Sequence, residues 1–209
     1  MGLPALLATL PGRVLVRLGV SPRGRNAFSS FRSYLPDLVR FAHPRQALEF
    51  GPGASSRIIL RNSSAKLLSL ATDANDYERA RRNIRNERFD LRYAPEPGAL
   101  AKLEGRRFDL VFVGSGDRVQ NLIGARGLLE EAGVLVLHDA HRPDYLPGIR
   151  CYAHGYFVEH HSLLLFKSRS RFHEVRAHFP PDARCQCKYC GSPERIEYRR
   201  SVGAELGRE

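Results

Sequence analysis

The stretch His138-Asp139-Ala140-His141-Arg142-Pro143 gathers two imidazoles, a carboxylate and a guanidinium in consecutive positions. Imidazole takes up a proton near neutral pH, and a guanidinium binds carboxylate or phosphate through a planar fork. Such a group suits removal of a proton from a substrate nucleophile, with Asp139 and His141 as candidate catalytic residues and Arg142 as a substrate anchor. A second stretch, Glu49-Phe50-Gly51-Pro52-Gly53, joins a carboxylate to two glycines. Glycine lets the backbone approach a ligand, and a helix start just beyond offers unpaired N–H donors. The third is Cys185-Gln186-Cys187-Lys188-Tyr189-Cys190, which holds three of the chain's 4 cysteines. Three thiolates at this spacing fit a structural zinc, with His178, His173, Cys151 or a second chain as fourth ligand. Free or redox-active thiols and an iron–sulfur cluster are the competing readings. The spacing is not that of a disulfide framework, so the cytoplasm is the expected compartment.

The elements that position these residues follow from apolar periodicity. Strands are predicted over 46–50, 66–72, 89–94, 108–113 and 134–138, and helical stretches over 56–62, 76–87, 98–104 and 117–131 between them. This alternation predicts an α/β fold with a doubly wound, mostly parallel sheet and helices on both faces. Two more strands, 151–158 and 161–167, are separated by Glu159 and His160 alone. A gap that short excludes a helical crossover, so the sheet of seven should close with an antiparallel hairpin. His154, His160 and His161 fall on or beside that hairpin; alternation puts the last two on opposite faces and reads them as edge or turn histidines. Residues 1–42 are expected to form a helical extension, 43–168 the Rossmann-like domain, and 169–209 a basic, cysteine-containing appendage.

In the chain of 209 residues, 33 Lys and Arg oppose 22 acids, for a formal charge of +11. That field favours anionic partners, nucleic acid among them, although scattered arginines also fit a solvated basic surface. No run approaches the roughly 20 apolar residues of a membrane span. The N-terminal MGLPALLATLPGRVLVRLGV lacks a basic leading region and is broken by Pro4, Pro11 and Arg13, so it reads as an amphipathic segment that packs on the domain in preference to touching a membrane surface.

Four segments, taken in order, resemble class I S-adenosylmethionine-dependent methyltransferases over about residues 45–168. They are ALEFGPGASS (47–56), FDLVFVGSGDR (108–118), LLEEAGVLVLHDAHRP (128–143) and the closing hairpin. The resemblance implies that Gly51 and Gly53 pass the amino-acid part of the cofactor while Glu49 supports their loop. It assigns Gly114 and Ser115 to the cofactor site as well. It also implies an acid after the second strand to hold the ribose. The register puts that acid at Ala71 or Thr72, so Asp73 is the nearest carboxylate. Gly114 stands where metal-assisted relatives carry an acid, which argues against metal-assisted O-methylation. A dinucleotide-binding pattern would place glycine at Ser56, and the hairpin also disfavours an NAD enzyme.

Two functions follow. One is a methyltransferase with a small-molecule acceptor, using S-adenosylmethionine, with zinc as a structural companion. The other is a catalytically degenerate methyltransferase fold that binds nucleic acid or protein through its basic, zinc-holding tail. A homodimer is compatible with either.

Overall fold

Residues Leu110 to Val113 and Val134 to Leu137 are essentially solvent-free, as central strands covered on both faces must be. They belong to a seven-stranded sheet in the order β3-β2-β1-β4-β5-β7-β6. The computed structural model describes residues 31–95, 97–158, 161–181 and 193–206. Its strands are β1 (Gln46–Phe50), β2 (Lys66–Ala71), β3 (Phe89–Tyr93), β4 (Phe108–Val113), β5 (Leu129–Leu137), β6 (His154–Val158) and β7 (Ser162–Phe166). The first five pair in parallel, while β7 runs antiparallel between β5 and β6. The predicted closing hairpin is therefore present.

The helices are α1 (Leu35–Ala42), α2 (Ala54–Asn62), α3 (Ala74–Asn83), α4 (Arg118–Leu128), α5 (Leu146–Ile149), α6 (Arg169–His178) and α7 (Pro193–Leu206). One face of the sheet packs with α1, α2 and α6 through Leu35, Ile59, Phe112, Val136 and Phe172. The other packs with α4, α5 and α7 through Val113, Leu122, Leu137, Ile149 and Val202. Segments on both sides of the alternating region thus contribute to the two cores. Among the described residues, no helix is long and apolar enough to cross a membrane.

Several expected boundaries moved by a few residues. The stretch 117–131 leaves the helix at Leu128, because Leu129 pairs with Phe108 and begins β5. Glu130 and Glu131 read as helical by propensity, yet they lie exposed on a strand whose register tertiary pairing decides. The stretch 98–104 forms a 3-10 helix, Pro97–Leu103.

Candidate active site

Glu49, near the end of β1, is fully buried. Its carboxylate accepts hydrogen bonds from the hydroxyls of Ser55 and Ser56 on α2, at 2.5 and 2.6 Å, and of Ser69 on β2 at 2.8 Å. Ser56 Oγ also accepts the Gly53 N–H at 2.8 Å. A relay therefore runs from the Gly53 backbone through Ser56 to Glu49 and holds the β1–α2 loop. Burial pushes the Glu49 carboxyl pKa up, and the three serine bonds oppose that rise. Ser56, a departure from the dinucleotide pattern in the sequence, has a role here that glycine could not fill: only a hydroxyl both accepts from Gly53 and donates to Glu49.

Gly51 adopts φ +95°, and its N–H donates to Leu70 O at 3.0 Å. A Cβ there would lie 2.2 Å from Ser115 Oγ. The position demands glycine on both counts. Gly53 is extended (φ 177°), with nothing within 4 Å of where its Cβ would be, so the backbone is open to an approaching ligand. The amides of Gly114 and Ser115 both donate to Phe50 O at 3.0 Å, tying the β4 loop to the β1 loop. Their N–H groups are thus engaged within the protein. After β2, Asp73 is exposed and caps α3, its Oδ1 accepting the Asp76 N–H at 2.9 Å. The six residues expected at a cofactor all lie at the carboxyl ends of β1, β2 and β4, where open α/β sheets bind ligands.

The end of β5 carries the acid–base groups. His138 packs edge-on against Phe31, ring centroids 4.8 Å apart, and its Nε2 lies 3.5 Å from Asp139 Oδ1. Asp139 has φ +57°, a left-handed backbone that aspartate tolerates better than most residues. The turn sends His141 back against His161, with ring centroids 4.7 Å apart, and the Ala140 N–H donates to His161 O at 2.7 Å. His161 is nearly solvent-free. It sits in the turn before β7, as expected, with its side chain packed inside rather than at an exposed edge. Because β7 lies beside β5, the residue before β7 returns to the end of β5, and strand alternation within the hairpin carries no information on that. His160 lies outside the described residues.

Arg118, the first residue of α4, is a further member that the sequence did not single out. Its Nη2 donates to Gly114 O at 2.6 Å and lies 3.7 Å from Asp139 Oδ2; its Nη1 donates to Tyr145 OH at 2.9 Å. Arg142, the expected anchor, is half-exposed and pairs with Asp144 at 3.3 Å. Its guanidinium also lies 5.3 Å over the Tyr145 ring.

Burial holds the His138 pKa below 6.5; Asp139 opposes that effect, and Arg118 and His141 reinforce it. The folded state therefore favours neutral His138, and stability contributed at neutral pH is lost as pH falls through 6.5 toward the lower folded value. Glu49 has the opposite sign: its folded pKa lies above 4.5, so stability rises as pH falls through the folded value toward 4.5. Melting temperatures between about pH 7.5 and about pH 5.5 should fall more steeply for the native chain than for His138→Gln. Equal slopes would remove His138 from this account.

For the metal set, Cys185, Cys187 and Cys190 lie outside the described residues. His178 sits on α6 with Nδ1 3.0 Å from Glu174 O and its ring 4.3 Å from that of Phe41. Among the described residues, no group of three or more His, Cys, Asp or Glu is arranged to hold a metal.

Solved structures with this arrangement of strands and helices include a methyltransferase from Geobacter sulfurreducens. It is 18% identical, with TM-score 0.52, over 78% of this chain and 94% of that one. An O-methyltransferase from Bacillus cereus in complex with SAH is 20% identical, with TM-score 0.51, over 80% and 77%. The fold is that of class I methyltransferases. Spermidine synthase from Thermotoga maritima shares it too, at 15% identity and TM-score 0.55 over 85% of this chain and 74% of that one. No protein-family model and no curated protein matches the sequence.

Proposed function

We propose that the protein is an S-adenosylmethionine-dependent methyltransferase acting on a small-molecule acceptor. The observation that carries this reading is the β1–α2 loop, locked by Glu49 and Ser56 while the backbone at Gly53 stays open. The residues present fit the cofactor. Gly51 and Gly53 would pass its amino-acid part, and Asp73, with one oxygen on the α3 cap, has the other for the ribose hydroxyls. When bound, S-adenosylmethionine supplies an electrophilic methyl group. The chain's own part is to place the acceptor over the end of β5 and to accept its proton. His141, beside His161, and Asp139, beside His138, are the groups proposed for that.

Calorimetric titration with S-adenosylmethionine and S-adenosylhomocysteine tests the reading. Binding at micromolar concentration is expected, weakened about tenfold or more in Asp73→Asn, since a hydrogen bond to a charged group contributes roughly 1.5–3 kcal/mol. Asparagine caps a helix as well as aspartate does, so the melting temperature should hardly change. Absence of heat with both ligands would sink the reading and favour a scaffold that binds through its basic tail. The thiolate set Cys185, Cys187 and Cys190 fits a tetrahedral zinc, and metal analysis of the purified chain checks that part separately.

A further inference from the structure

A guanidinium shielded from water is stable only when its charge is answered and its N–H groups are bonded. Arg118 meets these conditions only in part among the described residues. Its side chain is 16% exposed. Both of its hydrogen bonds go to neutral acceptors, Gly114 O and Tyr145 OH, and the Asp139 carboxylate at 3.7 Å lies beyond hydrogen-bond distance. Its Nε is buried with no hydrogen-bond partner among the described residues. Asp139 pairs with it only at that longer distance and also lies 3.5 Å from His138. A second guanidinium and a buried hydroxyl stand nearby. Arg142 lies over the same Tyr145 ring, at 5.3 Å against 5.4 Å for Arg118. The Tyr198 hydroxyl of α7 is also buried, without a hydrogen bond among the described residues. Burial raises its pKa most, and the nearby Tyr145 and Asp144 add to that.

We propose that Arg118 seats an anionic group of the methyl acceptor, so that the acceptor is a small molecule bearing a carboxylate or phosphate. This rests on the methyltransferase reading and names the substrate class of its site. The anion completes the charge and hydrogen bonding that the folded chain leaves incomplete at Arg118. It holds the rest of the acceptor beside His141 and Asp139. Arg142, paired with Asp144 and largely in solvent, contributes less.

The test uses ligand-observed NMR on the full chain saturated with S-adenosylhomocysteine, with benzoate, phenyl phosphate and neutral benzamide as probes. At least one anion should bind, and benzamide should bind at least about tenfold more weakly. The preferred anion tells carboxylate from phosphate. Arg118→Gln should lose about tenfold or more in anion affinity, and Arg118→Lys, which keeps the charge but not the fork, should fall between. Melting curves report whether each variant folds. If Arg118→Gln does not fold, the native comparison of anion with benzamide and the lysine variant decide. Equal binding of benzamide and the anions, no binding of either anion, or undiminished anion binding by folded Arg118→Gln would each overturn the proposal. Failure of S-adenosylhomocysteine to bind the native chain is a separate heat measurement and would overturn the methyltransferase reading instead.

Discussion

Gly51→Ala is expected to weaken S-adenosylmethionine binding about a hundredfold, equivalent to about 2.7 kcal/mol, and to lower stability by about 2–4 kcal/mol. Two effects combine. The backbone at φ +95° disfavours any side chain, and the new methyl would lie 2.2 Å from Ser115 Oγ and 2.7 Å from its Cβ. Relief requires moving either the β1 loop, held by the Gly51 N–H on Leu70 O, or the β4 loop, held by the Ser115 N–H on Phe50 O. Adding Ser115→Gly should recover the steric part while the backbone strain stays, a coupling that a double-mutant cycle in thermal melts and calorimetry would measure. Binding by Gly51→Ala within about threefold of the native chain would mean that the glycine loop is not the cradle.

Glu49→Ala should be the most destabilising single change at the site, at about 3–5 kcal/mol. It strips the acceptor from Ser55, Ser56 and Ser69 at once, inside a region without solvent. For a domain of this size that corresponds to a melting temperature lower by about 6–15 °C. Glu49→Gln keeps an acceptor oxygen and removes a charge that burial already disfavours, so its cost should be well under half of that. A loss under about 1 kcal/mol in Glu49→Ala would show that the serines find other partners and that the relay does not hold the loop.

The arginine excess divides along similar lines. Arg88 donates to Leu60 O, Ser63 O and Ala65 O at 2.7, 2.7 and 3.2 Å, closing the end of α2 onto β2. Arg81 with Glu78 and Arg92 with Asp90 are exposed pairs of the kind that add little stability. Among the described arginines, Arg118 carries its charge into the strand-end site with its bonding incomplete. The +11 charge therefore does not by itself identify a binding face.

The sequence by itself determined the sheet and its closing hairpin, because strands buried on both faces must be continuous apolar runs. Two residues between strands leave only an antiparallel return. It also determined the glycine loop and the histidine–aspartate stretch, since both are contiguous in the chain and their chemistry is local. Tertiary structure decided the rest. Ser56 and Ser69 meet Glu49 only when α2 and β2 pack beside β1. Leu129 joins a strand because Phe108 awaits it on β4. His161 and Arg118 reach the end of β5 from a hairpin turn and a helix start, 23 residues after and 20 before His138. No local period records such convergence, because strand order, not sequence order, sets which loops share the edge of the sheet.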